Sequence, residues 1–105
     1  QLLAFSPQFT LVTGADDVYP LLEYAQFGFT IDKAYYKTDA GTITAEVAIN
    51  GTAVTGLSAL SLTSTQGNST ATAANTVAVG DKVAITLSSN ASADTVSICL
   101  HCTRT

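Results

Sequence analysis

Two cysteines and the chain's single histidine fall within four residues, Cys99-Leu100-His101-Cys102. Thiolates and imidazole are zinc ligands, and a Cys-x-x-Cys pair can cycle between dithiol and disulfide. Both chemistries need partners that this sequence lacks. A structural zinc site takes four ligands, usually from a second Cys/His pair elsewhere, and no second pair exists here. A redox Cys-x-x-Cys opens a helix in a βαβ setting, whereas these residues continue the alternation Val96, Ile98, Leu100. On a strand, residues three apart point to opposite faces, so the two thiols diverge. Cys102 then reads as a small buried hydrophobe. Cys99 faces outward beside His101 and is free, covered at an interface, or bridged to another chain; an interchain disulfide through Cys99 is a hypothesis of the sequence. His101 reads as a polar residue of the outer face, because no Ser-His-Asp set can be singled out among so many serines.

The remaining candidates are acids and aromatics. The eight carboxylates are mostly in turn-forming segments, where Asp bonds its own backbone. Asp16-Asp17 could contribute to a calcium site, but no D-x-D-x-D-G loop accompanies them. The reading is therefore no enzyme, no metal and no cofactor. Tyr24, Tyr35 and Tyr36 belong to an aromatic cluster in the first half, with Tyr19, Phe27 and Phe29. Exposed tyrosines could stack on sugars, which keeps a carbohydrate-binding or receptor-binding adhesin domain as the alternative function. Alternating aromatics are more often core or interface anchors, and the chain has no Trp.

The elements that must position these residues are strands. Thr42 to Ile49 alternates with Ile43, Ala45, Val47 and Ile49 on one face, the period of a half-buried strand. It ends at Asn50-Gly51, the pair best suited to a type I′ hairpin turn because both central residues need positive φ. Thr52-Ala53-Val54 returns along it. Leu60 to Thr63 alternates again, Thr65 to Asn68 reads as a turn, and Thr70 to Val79 as an extended, solvated strand and a connection. Gly80-Asp81 is a second tight turn, followed by a strand with Val83, Ile85 and Leu87 inward. Ser89 to Asp94 is a polar turn before the last strand, Thr95 to Arg104. In the first third, Phe9 to Thr13 is a strand and Gly14 to Asp17 a turn. Asp17 to Phe27 has helix-like spacing but is read as extended; Phe27 to Ile31 and Ala34 to Lys37 are two further strands. About eight short strands at even spacing predict an all-β, two-sheet antiparallel sandwich, jelly-roll-like, over residues 9–105. Residues 1–8 read as an N-terminal arm that docks on a neighbouring chain. A chain opening on Gln1 rather than Met reads as a piece of a longer precursor, or as its ordered portion.

Composition narrows the partners. Charged residues make up 11% of the 105 residues, against roughly 25% in an average soluble domain. About a quarter of the chain is Ser or Thr. A net charge of -4 with four basic residues argues against a nucleic-acid partner. No apolar run reaches the roughly 18 residues of a membrane helix, so no membrane partner is expected. So small a domain, with sparse charge, is expected to gain stability by association.

The stretch Ala45 to Thr65, with its core Ile49-Asn50-Gly51-Thr52-Ala53-Val54-Thr55-Gly56-Leu57-Ser58, resembles a β-sandwich module of tailed-bacteriophage virion proteins. The Thr/Ala-rich segment Thr70 to Val77, the V-x-G-D-x-V-x-I run ending at Ile85 and the closing Thr103-Arg104 fit the same pattern, as do Phe29-Thr30-Ile31 and Gly41-Thr42 upstream. Cys99 and Cys102 depart from it. The resemblance covers roughly residues 27–104. It implies a non-enzymatic virion component of the tail-fibre or head- or collar-decoration type. It further implies a homo-oligomer, foremost a trimer, and other virion proteins (capsid, collar or tail) as partners.

Overall fold

The computed structural model describes residues 3–11 and 16–105, and among them every regular element is a strand. In chain order these are β1 (Leu3–Phe5), β2 (Gln8–Leu11), β3 (Asp17–Leu22), β4 (Phe29–Thr38), β5 (Thr42–Ile49) and β6 (Thr52–Ala53). They continue as β7 (Leu60–Leu62), β8 (Gly67–Thr70), β9 (Thr76–Val77), β10 (Val83–Ala91) and β11 (Val96–Arg104). One sheet runs β1-β11-β4-β8, with β2 also on β11 and β9 also on β4. The other runs β3-β10-β5-β6, with β7 also on β5. All pairings within the two sheets are antiparallel. This is the expected two-sheet, jelly-roll-like sandwich, elongated to 42 × 22 × 21 Å.

The core lies between the sheets and is built from the alternating apolar residues. Ile43, Ala45, Val47 and Ile49 of β5 face inward with Val83, Ile85 and Leu87 of β10. From the other sheet come Ile31 and Ala34 of β4 and Val96, Ile98, Leu100 and Cys102 of β11. Each fully buried Ile, Leu or Val contributes about 1.5–3 kcal/mol relative to exposure. Thr38 is the one buried polar side chain among the described residues, and its hydroxyl donates to the Ala40 carbonyl at 3.0 Å.

The strand count is eleven among the described residues rather than about eight, for local reasons. β6 and β9 are two-residue pairings too short to show a period. Gly67–Thr70, half of which was expected to be a turn, pairs with β4 as β8. Pro7, which has no N–H for a ladder, separates β1 from β2, though its carbonyl still accepts the Leu100 amide at 2.9 Å. Thus residues 3–5 of the expected arm form an edge strand of this chain's own sheet, paired to Arg104, Thr103 and Cys102. Residues 1 and 2, and 12–15, where the first strand and its turn were expected to run on, lie outside the described residues. Of the helix-like stretch from Asp17 to Phe27, Asp17–Leu22 is extended as β3 and the rest is a bent loop; Pro20 is tolerated because β3 is an edge.

The two strands expected at 27–31 and 34–37 are one, β4, interrupted by a bulge. His101 lies opposite Lys33 and Cys102 opposite Ile31, so Asp32 has no register partner on β11. One extra residue flips every later side chain to the other face. Phe29 and Ile31 point inward before the bulge, and Ala34, Tyr36 and Thr38 after it.

Candidate functional site

The bulge sends Lys33, Tyr35 and Lys37 to the outer face of β4. There they meet the outward residues of β11 in register: Lys33 opposite His101, Tyr35 opposite Cys99, and Lys37 opposite Ser97. β2 adds Gln8 beside Cys99, and β8 adds Asn68 beside Tyr35 and Thr70 beside Lys33. The Lys33 ammonium stands 5.1 Å from the centroid of the Tyr35 ring. The His101 ring meets Tyr35 edge-on at 5.7 Å between centroids. A groove of about 400 Å³ runs beside them, with Gln8, Tyr35, Lys37, Gln66, Ser97, Cys99 and His101 in its lining.

The cysteines diverge as strand alternation requires. Cys102 is 2% exposed, and its thiol is pushed up to about 12 from the ordinary 9.0. Burial is the main cause, with the charges of Asp32 and Cys99 adding to it. A buried thiol held protonated in this way is a poor nucleophile at neutral pH. Cys99 is half-buried and free, its Sγ 4.0 Å from the Ser6 carbonyl. Among the described residues, no group of three or more His, Cys, Asp or Glu could hold a metal ion. The Asp16 carboxylate accepts the Asn90 amide at 3.2 Å.

The three tyrosines do not share a surface. Tyr36 is 7% exposed, and its hydroxyl bonds the Ser69 hydroxyl at 2.8 Å. Its neighbour Tyr35 points the opposite way. Tyr24, 55% exposed, stands on the loop after β3, in reach of Gly80.

The predicted turns hold the ends of the sandwich. Asn50 and Gly51 have φ of 51° and 85°, both positive as a type I′ turn requires. Gly80 has φ of 89°, and its amide donates to the Ala25 carbonyl at 2.9 Å. The Asp81 carboxylate accepts the Ala78 amide at 2.9 Å and the Asn50 side-chain amide at 2.9 Å. Its pKa is lowered, first by the Ala78 bond and then by Asn50. Asp39 plays the same part at the far end: one carboxylate oxygen accepts the amides of Ala40, Asp94 and Thr95. Its pKa is lowered chiefly by the bonds from Thr95 and Asp94.

A second concavity lies between the sheets. Phe5, Phe9, Leu21, Phe27 and Phe29 line an apolar cleft of about 150 Å³. Phe5, Phe27 and Phe29 meet edge-to-face at 5.2–6.1 Å, and the Arg104 guanidinium lies 4.4 Å from the Phe27 centroid. The sequence reading missed this cleft and the Lys33-x-Tyr35-x-Lys37 row. The row was visible as alternation, but its facing depended on the unforeseen bulge.

No protein-family model and no curated protein matches the sequence. The fold does match solved structures. A chain of the acid-stable capsid structure of Helicobacter pylori bacteriophage KHP30 superposes with a TM-score of 0.64 at 11% identity, over 100% of this chain and 92% of that one. A chain of the cyanophage Pam1 capsid asymmetric unit gives 0.58 at 18% identity, over 98% and 83%. The structure of infectious bursal disease virus strain Gt gives 0.51 at 14% identity, with 98% of this chain lying on 32% of the viral one. At these identities the likeness is one of fold.

Proposed function

We propose that this chain is a non-enzymatic structural component of a bacteriophage virion, a capsid or collar decoration or a fibre module, acting by self-association and docking on the particle. The observation that carries the reading is the near-complete mutual coverage with the KHP30 and Pam1 capsid chains. In both, the sandwich makes up most of a chain rather than one domain of a large one. The independent sequence resemblance of residues 27–104 to phage virion modules points the same way.

The assembly is proposed to be a trimer. Contact of residues 1–8 with another chain belongs to the same proposal. β1 is paired on one side only, and the unpaired edge of a strand is a template for a neighbour. An interchain disulfide through Cys99 is a further element, consistent with its free thiol on the outer face.

Mass spectrometry of purified head and tail fractions, or cryo-EM of the assembled particle, tests the reading. The chain is expected in the virion, and its absence from every fraction overturns the proposal. Light scattering showing only monomer at micromolar concentration removes the self-association. Deleting residues 1–8 with no loss of assembly removes the docking arm, provided circular dichroism shows the sandwich intact. Non-reducing electrophoresis showing only monomer-sized bands removes the Cys99 bridge.

A further inference from the structure

We infer that the outer face of β4 and β11 is a binding site for an acidic saccharide, whose carboxylate or sulfate sits between Lys33 and His101. The inference does not rest on the virion reading and survives its failure.

The first argument is the distribution of charge. Acids outnumber Lys and Arg by eight to four. Yet the outward residues of Gln8–Thr10 on β2, Ser97–His101 on β11, Lys33–Lys37 on β4 and Asn68–Thr70 on β8 include two lysines, the only histidine and no carboxylate. The nearest acid on these strands is the bulged Asp32, and its carboxylate accepts the Thr103 hydroxyl at 2.6 Å. The ion pair found among the described residues is elsewhere, Lys82 with Glu23 at 3.8 Å. Among the described residues, neither Lys33 nor Lys37 forms an ion pair.

The second argument is register. Lys33 lies directly opposite His101. An ammonium and an imidazole N–H are both hydrogen-bond donors. An anion placed between them would accept from both. Both groups converge on Tyr35, at 5.1 Å and 5.7 Å, so the two donors, ammonium and imidazole N–H, are gathered at one place.

The third argument selects the ligand. The adjoining groove, about 400 Å³, lies within the 300–1,000 Å³ usual for small-molecule sites. Its polar lining comes from the side-chain amides of Gln8 and Gln66, the Ser97 hydroxyl and the Lys37 ammonium. Amides and hydroxyls both donate and accept, which suits a polyhydroxylated ring, while the Tyr35 ring in the lining suits its C–H surface. A bare inorganic anion would leave that groove unused.

The test is a ¹⁵N NMR titration of the full chain with a glucuronate-containing tetrasaccharide at low salt. Saturable shifts are expected at the amides of Lys33, Tyr35, Cys99 and His101. The double variant K33Q/H101Q is expected to bind at least tenfold more weakly; both side chains face outward, so its spectrum should keep the native dispersion. Raising the salt from about 0.01 M to about 0.15 M shortens the screening length from about 30 Å to about 8 Å, and should weaken binding severalfold. Absence of shifts at millimolar sugar overturns the proposal. So does equal binding of neutral maltotetraose, or equal affinity for sulfate alone. Tighter binding of an oligoglutamate peptide than of the saccharide would reassign the face to an acidic protein partner, and would also overturn it.

Discussion

Asn50 clamps the turn that faces it. Its side-chain Nδ2 donates to Asp81 Oδ1 at 2.9 Å, and its Oδ1 accepts the Lys82 amide at 2.9 Å. Its own backbone amide donates to the Lys82 carbonyl at 2.9 Å. Two turns that the sequence presents as separate hairpin signals are thus one hydrogen-bonded unit at an end of the sandwich.

This unit predicts a contrast between two substitutions. Asn50→Ala removes both side-chain bonds and places an alanine at φ 51°, where a Cβ costs about 1–2 kcal/mol. Asn50→Gly removes the same bonds but suits the backbone. Urea denaturation should show Asn50→Ala to be the less stable by about 1 kcal/mol. Equal losses would mean that the backbone conformation contributes nothing.

Acid should loosen both ends of the sandwich together. Asp39 and Asp81 have pKa values lowered from the ordinary 3.8 by bonds from backbone amides, chiefly Thr95 and Ala78 respectively. A carboxyl whose folded pKa lies below its unfolded value adds stability above the unfolded value, and that stability is lost as pH falls through it toward the folded pKa. The melting temperature should therefore be flat near neutrality with respect to these two groups and fall below about pH 4. The double variant D39N/D81N should start lower at neutral pH and fall less steeply in acid. Parallel curves for the two proteins would refute this.

The two thiols should differ sharply in reactivity. Under reducing conditions Cys99, on the outer face, is expected to react with iodoacetamide in the folded protein, and Cys102 only after unfolding. The Cys102 thiol, raised to about 12 by burial, favours its protonated form in the fold. Its contribution to stability is complete below the ordinary 9.0 and is lost as pH rises toward 12. Peptide mapping that finds Cys102 alkylated as fast as Cys99 would contradict its burial.

Gly51 and Gly56 both have positive φ, at 85° and 97°, but differ in their surroundings. A Cβ on Gly51 meets nothing within 4 Å, whereas one on Gly56 would lie 2.2 Å from the Thr70 carbonyl oxygen. Gly51→Ala should cost about 1–2 kcal/mol of backbone strain. Gly56→Ala must also push the Thr55–Ala73 bridge apart, and thermal melts should show it to be markedly worse. Similar melting temperatures would place Gly56 in open space.

How much was legible follows from how local each cause is. β5, its inward set Ile43, Ala45, Val47 and Ile49, and the Asn50-Gly51 turn were readable because period-two burial and positive φ are properties of a few consecutive residues. The opposite facings of Cys99 and Cys102 were readable for the same reason. β1 was not: Leu3–Phe5 has no period of its own and becomes a strand only because β11 offers it an edge.

The sequence by itself determined the class of the fold, the placement of most apolar side chains and the divergence of the two thiols. The tertiary structure decided which residues act together. The bulge at Asp32 arises only when β4 is laid against β11, since its effect is a mismatch between two strands rather than a feature of one. It turned Tyr36 into the core, left Tyr35 outside, and set Lys33 facing His101. No linear pattern records such a pairing, because the free energy that selects it comes from burying Ile31 and Ala34 on the same side of the sheet.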